Sequence, residues 1–178
     1  MKVSMFLVIT LLAITSCDRR IKTIEYQLSR DEQIVNQILY TTAAIIKKTY
    51  HLNPCGEGAS MPGGPIKKLA LCFDTRSTYN VEYLRFLLIK SAQELLKQVN
   101  ENGEIQEFLK EPFTIRNIEI IIYNKDKQRN NMYYPGISTA QITNSILIYK
   151  SVDSPISFSL KNKYEETYEE ALEIIEKS

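Results

Sequence analysis

Apolar residues recur at helical spacing in three stretches of the chain. Ser29-Arg30-Asp31-Glu32 matches a capping box, and the stripe that follows it predicts a helix to about Tyr50. Ser77 or Thr78 can cap a second helix, and Asn162 can cap a third. The stripes behind these predictions are Ile34, Val35, Ile38, Leu39, Ile45 and Ile46; Val81, Leu84, Leu88, Ala92, Leu95 and Val99; and Tyr164, Tyr168, Ala171, Leu172 and Ile175.

Shorter apolar runs between these helices predict strands. Ile66–Phe73 is apolar and bounded by turn-forming residues, and Ile115–Tyr123 is rich in β-branched side chains. Two further strands are predicted near Gln141–Tyr149 and Ile156–Leu160. The segment His51–Pro65 holds four Gly and three Pro, which predicts a loop.

The order of these elements predicts an α+β fold. The strand Ile66–Phe73, the helix after it and the strand Ile115–Tyr123 form a candidate parallel crossover, to which the later strands can add as an antiparallel meander. We therefore expect a two-layer sandwich over residues 29–178, with a mixed sheet of about four strands packed by helices.

The first 16 residues have the pattern of an export signal. Lys2 is followed by an almost unbroken apolar run, Val3–Ile14, which is shorter than the ~20 residues that a permanent transmembrane helix needs. Ile14-Thr15-Ser16-Cys17 resembles the lipobox of bacterial lipoproteins, which implies that Cys17 receives a lipid and becomes the first residue of the mature protein. The alternative is an ordinary cleaved signal peptide in which Cys17 is incidental.

The lipobox resemblance divides the chain into three parts. Residues 1–16 are the predicted signal peptide, residues 17–28 are the lipidated Cys17 and a tether, and residues 29–178 are one globular domain. The implied location is the cell membrane on its exported side, periplasmic or at the surface, with the lipid on Cys17 as the contact to the membrane.

Composition and charge give no sign of a nucleic-acid partner. The 178 residues are 44% hydrophobic and 24% charged, which are ordinary values for one globular domain. Lys and Arg number 22 against 21 Asp and Glu, and removal of residues 1–16 takes away one of the basic residues, Lys2. The remaining chain is balanced, so it lacks the basic excess typical of nucleic-acid binding.

Two cysteines remain beside the predicted lipid site. Cys55 and Cys72 could form a disulfide in an oxidising compartment, whereas Cys72 alone is also typical of a buried free thiol. His51 is the only histidine and has no further ligands or catalytic partners at a recognised spacing. The sequence therefore predicts no metal site, no cofactor and no assembled catalytic set.

Four residues are the best candidates for binding. Asp74 ends a predicted parallel strand, where α/β proteins often bind ligands, and Arg76 is close to it; a turn or cap is the alternative role. Tyr133 and Tyr134 lie in a polar loop and suit contact with a protein or a glycan, or packing over the end of the sheet. Six glutamates of the last helix predict a solvated face: Glu165, Glu166, Glu169, Glu170, Glu173 and Glu176.

Three stretches between Leu69 and Ile174 resemble a group of uncharacterised small lipoproteins of chlamydia-related intracellular bacteria. They are LALCFDT, LLKQVNENGEIQEFLKEPFTIRNIEIIIY and YEETYEEALEI. The resemblance implies a lipoprotein of the cell envelope, but it implies no activity and no functional residues.

These patterns predict a membrane-tethered lipoprotein that is a non-enzymatic binding or structural module of the cell envelope. An envelope protein or glycan is the expected partner. The alternative is an envelope enzyme, either a hydrolase or a thiol-dependent enzyme, that uses Cys55 or Asp74.

Overall fold

The computed structural model of the protein describes residues 27–154 and 156–177. The predicted signal peptide, the predicted lipid site Cys17 and nearly all of the tether lie outside these residues. The helices are α1 (Arg30–Tyr50), α2 (Val81–Glu101) and α3 (Tyr168–Glu176), with short 3-10 turns at Ile105–Phe108 and Ile115–Asn117. The strands are β1 (Asn53–Ser60), β2 (Lys68–Asp74), β3 (Ile118–Tyr123), β4 (Thr139–Thr143), β5 (Ile146–Ser154) and β6 (Ser157–Thr167).

The three helices are present, but two of them begin later than predicted. The capping box of α1 is confirmed at Ser29, where Glu32 accepts from the Ser29 backbone N–H. Neither Ser77 nor Thr78 caps α2, because the Asn80 side chain accepts the backbone N–H of Tyr83. Asn162 does not cap α3 because the chain is still extended there as part of β6. Thr167 caps α3 instead.

The sheet is mixed, as predicted, but its order β1-β2-β3-β4-β5-β6 has six strands rather than four. The predicted parallel crossover is confirmed, since β2 and β3 run parallel from Leu69 opposite Ile118 to Asp74 opposite Tyr123. Every other neighbouring pair is antiparallel. The α+β class is therefore correct and the predicted strand count is wrong.

The additional strands come from two segments whose local sequence is ambiguous. The Gly- and Pro-rich segment predicted as a loop forms β1 over Asn53–Ser60, and its positive φ angles lie on either side of this strand, at His51, Gly63 and Gly64. The single strand predicted at Gln141–Tyr149 is a hairpin, because Asn144 and Ser145 both have positive φ and reverse the chain.

The helices cover one face of the sheet and leave the other face open. Strand side chains such as Leu71, Phe73, Ile120 and Ile142 join the helix stripes in one core cluster. Residues that alternate with them, such as Cys72, are only partly buried. None of the helices in the described ranges is both long and apolar enough to cross a membrane.

Candidate functional site

The carboxyl ends of the parallel strands β2 and β3 meet at one edge of the sheet, as a strand–helix–strand crossover requires. Asp74 ends β2 directly opposite Tyr123 at the end of β3. The chain then continues from β3 into a polar segment, residues 125–136, which we call the 125–136 loop. Because α/β proteins often bind ligands at such strand ends, this loop and the two strand ends are the candidate site.

Asp74 is paired with a residue of the 125–136 loop. Its Oδ2 accepts a hydrogen bond from the guanidinium of Arg129 at 2.9 Å. The Asp74 side chain is 8% exposed, whereas that of Arg129 is 63% exposed. Arg76, which the sequence places near Asp74, is exposed. The buried carboxylate is thus compensated by Arg129, 55 positions further along the chain.

A buried amide fixes the start of the 125–136 loop. Asn124 is fully buried, and its side chain accepts the backbone N–H of Tyr79 and donates to the carbonyls of Tyr79 and Ile137. The Thr75 hydroxyl also accepts the backbone N–H of Lys125 at 2.8 Å. These bonds satisfy buried polar groups and tie the loop to both neighbouring segments.

The tip of the loop is a tight, locally bonded turn. The Asp126 carboxylate accepts from both the backbone and the side chain of Asn130, at 2.8 and 3.0 Å. These bonds lower the pKa of Asp126, the side-chain bond being the larger cause. Arg129 lies in this turn with a φ of 68°, a left-handed conformation that non-glycine residues rarely adopt. The turn thereby brings the guanidinium of Arg129 to Asp74.

The predicted tyrosine pair lies at the other end of the same loop. The backbone N–H of Tyr134 donates to the carbonyl of Val152 on β5 at 2.8 Å, which secures this end to the sheet. Tyr134 is 66% exposed, whereas Tyr133 is partly buried. The 125–136 loop therefore connects two of the predicted sites, Asp74 and the tyrosines. Its exposed side chains, with that of Tyr123, form what we call the loop surface: Tyr123, Lys127, Gln128, Arg129, Asn130, Asn131, Tyr134 and Pro135.

Both cysteines of the described residues are free thiols. Cys55 is exposed on the edge strand β1, and Cys72 is partly buried on the open face of β2. Desolvation raises the pKa of Cys55, and the neighbouring Cys72 and Asp74 raise it further. Desolvation also raises the pKa of Cys72, followed by the charge of Glu119. Both sulfurs are therefore protonated at neutral pH.

His51 lies at the carboxyl end of α1, two positions before Asn53, which pairs with Asp74. It adopts a left-handed conformation there, and it lines a groove of about 620 Å³ between α1 and β1. Across the described parts of the chain, no group of three His, Cys, Asp or Glu side chains is arranged to hold a metal ion.

One charged cluster was not predicted from the sequence. Glu166, predicted to lie on a solvated helix face, is on β6 and buried, and it accepts from the Nε of Arg85 at 2.8 Å. The hydroxyls of Tyr149 and Tyr164 also donate to its carboxylate. This prediction was wrong because the segment that contains Glu166 is a strand, so its side chain points into the helix layer. An apolar residue at every second position is the usual signal of such a strand, and a charged residue at position 166 interrupts it.

Comparisons of the chain with protein-family models, with curated proteins and with solved structures found no match. The resemblance to lipoproteins of chlamydia-related bacteria therefore stays a prediction.

Proposed function

We propose that the protein is a membrane-tethered lipoprotein of the cell envelope whose domain binds an envelope protein through the loop surface. The tether would begin at the lipidated Cys17, ten positions before the first described residue, Gln27. One observation supports the proposal most strongly. Buried hydrogen bonds hold the 125–136 loop in place, and the loop exposes the side chains of Tyr134 and Arg129.

The composition of the loop surface supports a protein partner. Tyrosine and arginine are enriched where proteins contact each other, because each combines a large contact area with directed hydrogen bonds. The bonds of Asn124 and Thr75 hold the loop in place before binding. A pre-ordered loop loses little conformational entropy when a partner docks, which favours a role in binding.

The pKa directions weigh against the alternative of a thiol-dependent enzyme. Such an enzyme needs a thiolate, and its environment lowers the pKa of the cysteine. Desolvation raises the pKa of both Cys55 and Cys72. A hydrolase that uses Asp74 would need a carboxylate accessible to substrate, whereas Asp74 is buried beneath its bond to Arg129.

Site-specific photocrosslinking in the native membrane tests the binding proposal. A photoreactive phenylalanine derivative would replace Tyr134 in one variant and Tyr40 in a control variant. Both tyrosines are strongly exposed, 66% and 74%, but Tyr40 lies on α1, outside the loop surface. We expect a crosslinked protein partner from position 134 and none from position 40. Equal yields from both positions, or no adduct at 134, would refute the loop surface as the binding site.

The tether requires a separate measurement, the intact mass of the protein extracted from its native membrane. A mature chain that begins at Cys17 and carries acyl chains is the expected result. A chain without lipid, or an unprocessed one, would overturn the anchor while leaving the crosslinking result interpretable. A Cys17→Ser variant, which has no thiol to accept lipid, is the matched control.

A further inference from the structure

We propose that Cys55 and Cys72 form a reversible cross-strand disulfide that staples the edge strand β1 to β2. The structure holds the two residues as free thiols, so the bond belongs to an oxidised form of the same fold. This inference does not rest on the loop surface or on the lipid anchor, because it concerns thiol chemistry and has its own measurement. The two cysteines nevertheless lie at the same end of β1 and β2 as Asp74.

The strand register places the two cysteines side by side. Pro54 is opposite Phe73 and Gly56 is opposite Cys72, so Cys55 is an extra residue in a β-bulge. In a bulge two successive residues of one strand face a single residue of the other. Cys55 and Gly56 thus share Cys72 as their partner. Cα atoms that face each other across an antiparallel pair are about 4.5–5.5 Å apart, which falls within the range that disulfides span.

The glycine next to Cys55 leaves room for a second sulfur. A Cβ atom at Gly56 would lie 3.4 Å from the Cβ of Cys72 and 3.7 Å from its Sγ. Because Gly56 has no side chain, the space beside the Cys72 sulfur is not filled by the residue directly opposite. The Cys55 side chain, one residue along the bulge, can reach that space by rotation about its Cα–Cβ bond.

The electrostatic environment is consistent with one shared location. The pKa of Tyr123 is raised by desolvation and also by the charges of both Cys72 and Cys55. Tyr123 is two positions beyond the residue opposite Cys72 on β3, so one aromatic side chain lies near both sulfurs. Cys55 is exposed, which gives an external oxidant direct access to it.

The reaction is thiol–disulfide exchange with a small-molecule disulfide such as oxidised glutathione. Cys55 gives up its proton, and the resulting thiolate attacks one sulfur of the reagent; this breaks the reagent's S–S bond and releases one glutathione thiolate, which takes up a proton. Cys72 then gives up its proton in the same way, attacks the Cys55 sulfur of the mixed disulfide and releases the second glutathione thiolate, which is also protonated. The two protein thiols lose two electrons and two protons, and the reagent gains them.

Peptide mapping of the full-length chain with Cys17→Ser tests the inference, because this variant keeps only the two thiols of interest. Trypsin cleaves after Lys67 and Lys68, which lie between Cys55 and Cys72, so the two cysteines fall in separate peptides. After treatment with oxidised glutathione we expect these peptides to be linked until a reductant is added. A Cys72→Ser control should instead retain one glutathione on Cys55.

Thermal unfolding gives a second readout that does not depend on digestion. The bond would close the β1–β2 hairpin in the unfolded chain, so the oxidised protein should melt about 5–10 °C higher than the reduced protein. The Cys72→Ser control should show no such shift. A stable glutathione adduct on Cys55 beside a Cys72 that can still be alkylated would overturn the proposal, as would a bond only between two chains.

Discussion

Arg85 on α2 and Glu166 on β6 form a buried ion pair, with 2.8 Å between Nε and Oε1. Their side chains are only 10% and 2% exposed. The pair joins α2 in the helix layer to β6, the strand at one edge of the sheet, although the two residues are 81 positions apart in the sequence. Since α3 follows β6 directly, the contact also helps to hold the last helix in place.

Removal of one member of this pair should destabilise the fold strongly. Glu166→Gln keeps the shape of the side chain but leaves the Arg85 charge buried without its counter-ion. Loss of one partner of a buried pair costs about 3–5 kcal/mol. We expect the free energy of unfolding, measured with urea, to fall by that amount. Glu169→Gln, an exposed change three residues away, should leave it nearly unchanged. A small effect at both positions would contradict a stabilising role for the pair.

Tyr149 should remain protonated when exposed tyrosines ionise. Burial raises its pKa well above the ordinary value of 10.0, and the bond to Glu166 adds to the effect. The folded state thus favours the protonated form. This contribution to stability is complete below pH 10 and is lost as the pH rises above it, because only the unfolded chain then releases the proton.

An ultraviolet titration of the tyrosines checks this directly. Up to about pH 11 the titration amplitude of folded Tyr149→Phe should match that of the wild type, since Tyr149 does not ionise in this range. A loss of amplitude in Tyr149→Phe would show that the buried hydroxyl titrates normally.

The start of α2 can be located by comparing two cap substitutions. Asn80→Ala removes the side chain that accepts the Tyr83 N–H at 3.0 Å, and loss of a cap costs about 1 kcal/mol. Ser77→Ala changes one of the two residues that the sequence predicts as the cap of this helix. We expect the midpoint of chemical unfolding to fall for Asn80→Ala alone. The reverse order would place the helix start at the earlier position.

The buried amide of Asn124 should control the order of the 125–136 loop. Asn124→Ala leaves two carbonyls and one N–H without their partner, and we expect a loss of about 3 kcal/mol. Amide hydrogen exchange should accelerate within the loop more than in α1. Asn36→Ala, at an exposed position on α1, is the control. Unchanged exchange in the Asn124 variant would mean that other contacts order the loop.

Local sequence patterns predicted the parts of the fold whose periodicity is strong. The capping box at Ser29 and the apolar runs of β2 and β3 each fit only one kind of secondary structure. The predictions of α1 and of the parallel crossover were therefore correct. The strand β1 was missed because its residues Asn53–Ser60 have low strand propensity and are held by pairing with β2. Long-range pairing of this kind leaves no local trace in sequence.

The candidate site was predicted less completely, for a similar reason. Asp74 and Tyr134 were predicted from their local chemistry. In the structure Tyr134 belongs to the 125–136 loop, and Asp74 contacts the same loop through Arg129. Arg129 was missed as the partner of Asp74, because their contact depends on a left-handed turn 55 positions away. The Arg85–Glu166 pair was missed because Glu166 belongs to a segment with an apparent helical spacing.

The edge strand β1 affects whether several copies of the protein associate when they are close together. Proteins confined to a bilayer meet their neighbours in two dimensions at high local density, where an unpaired strand invites edge-to-edge polymerisation. Pro54 offers no backbone N–H to an incoming strand, and the bulge at Cys55 interrupts the regular spacing of the edge. These two features of β1 therefore oppose self-association, which would suit the membrane-tethered role proposed above.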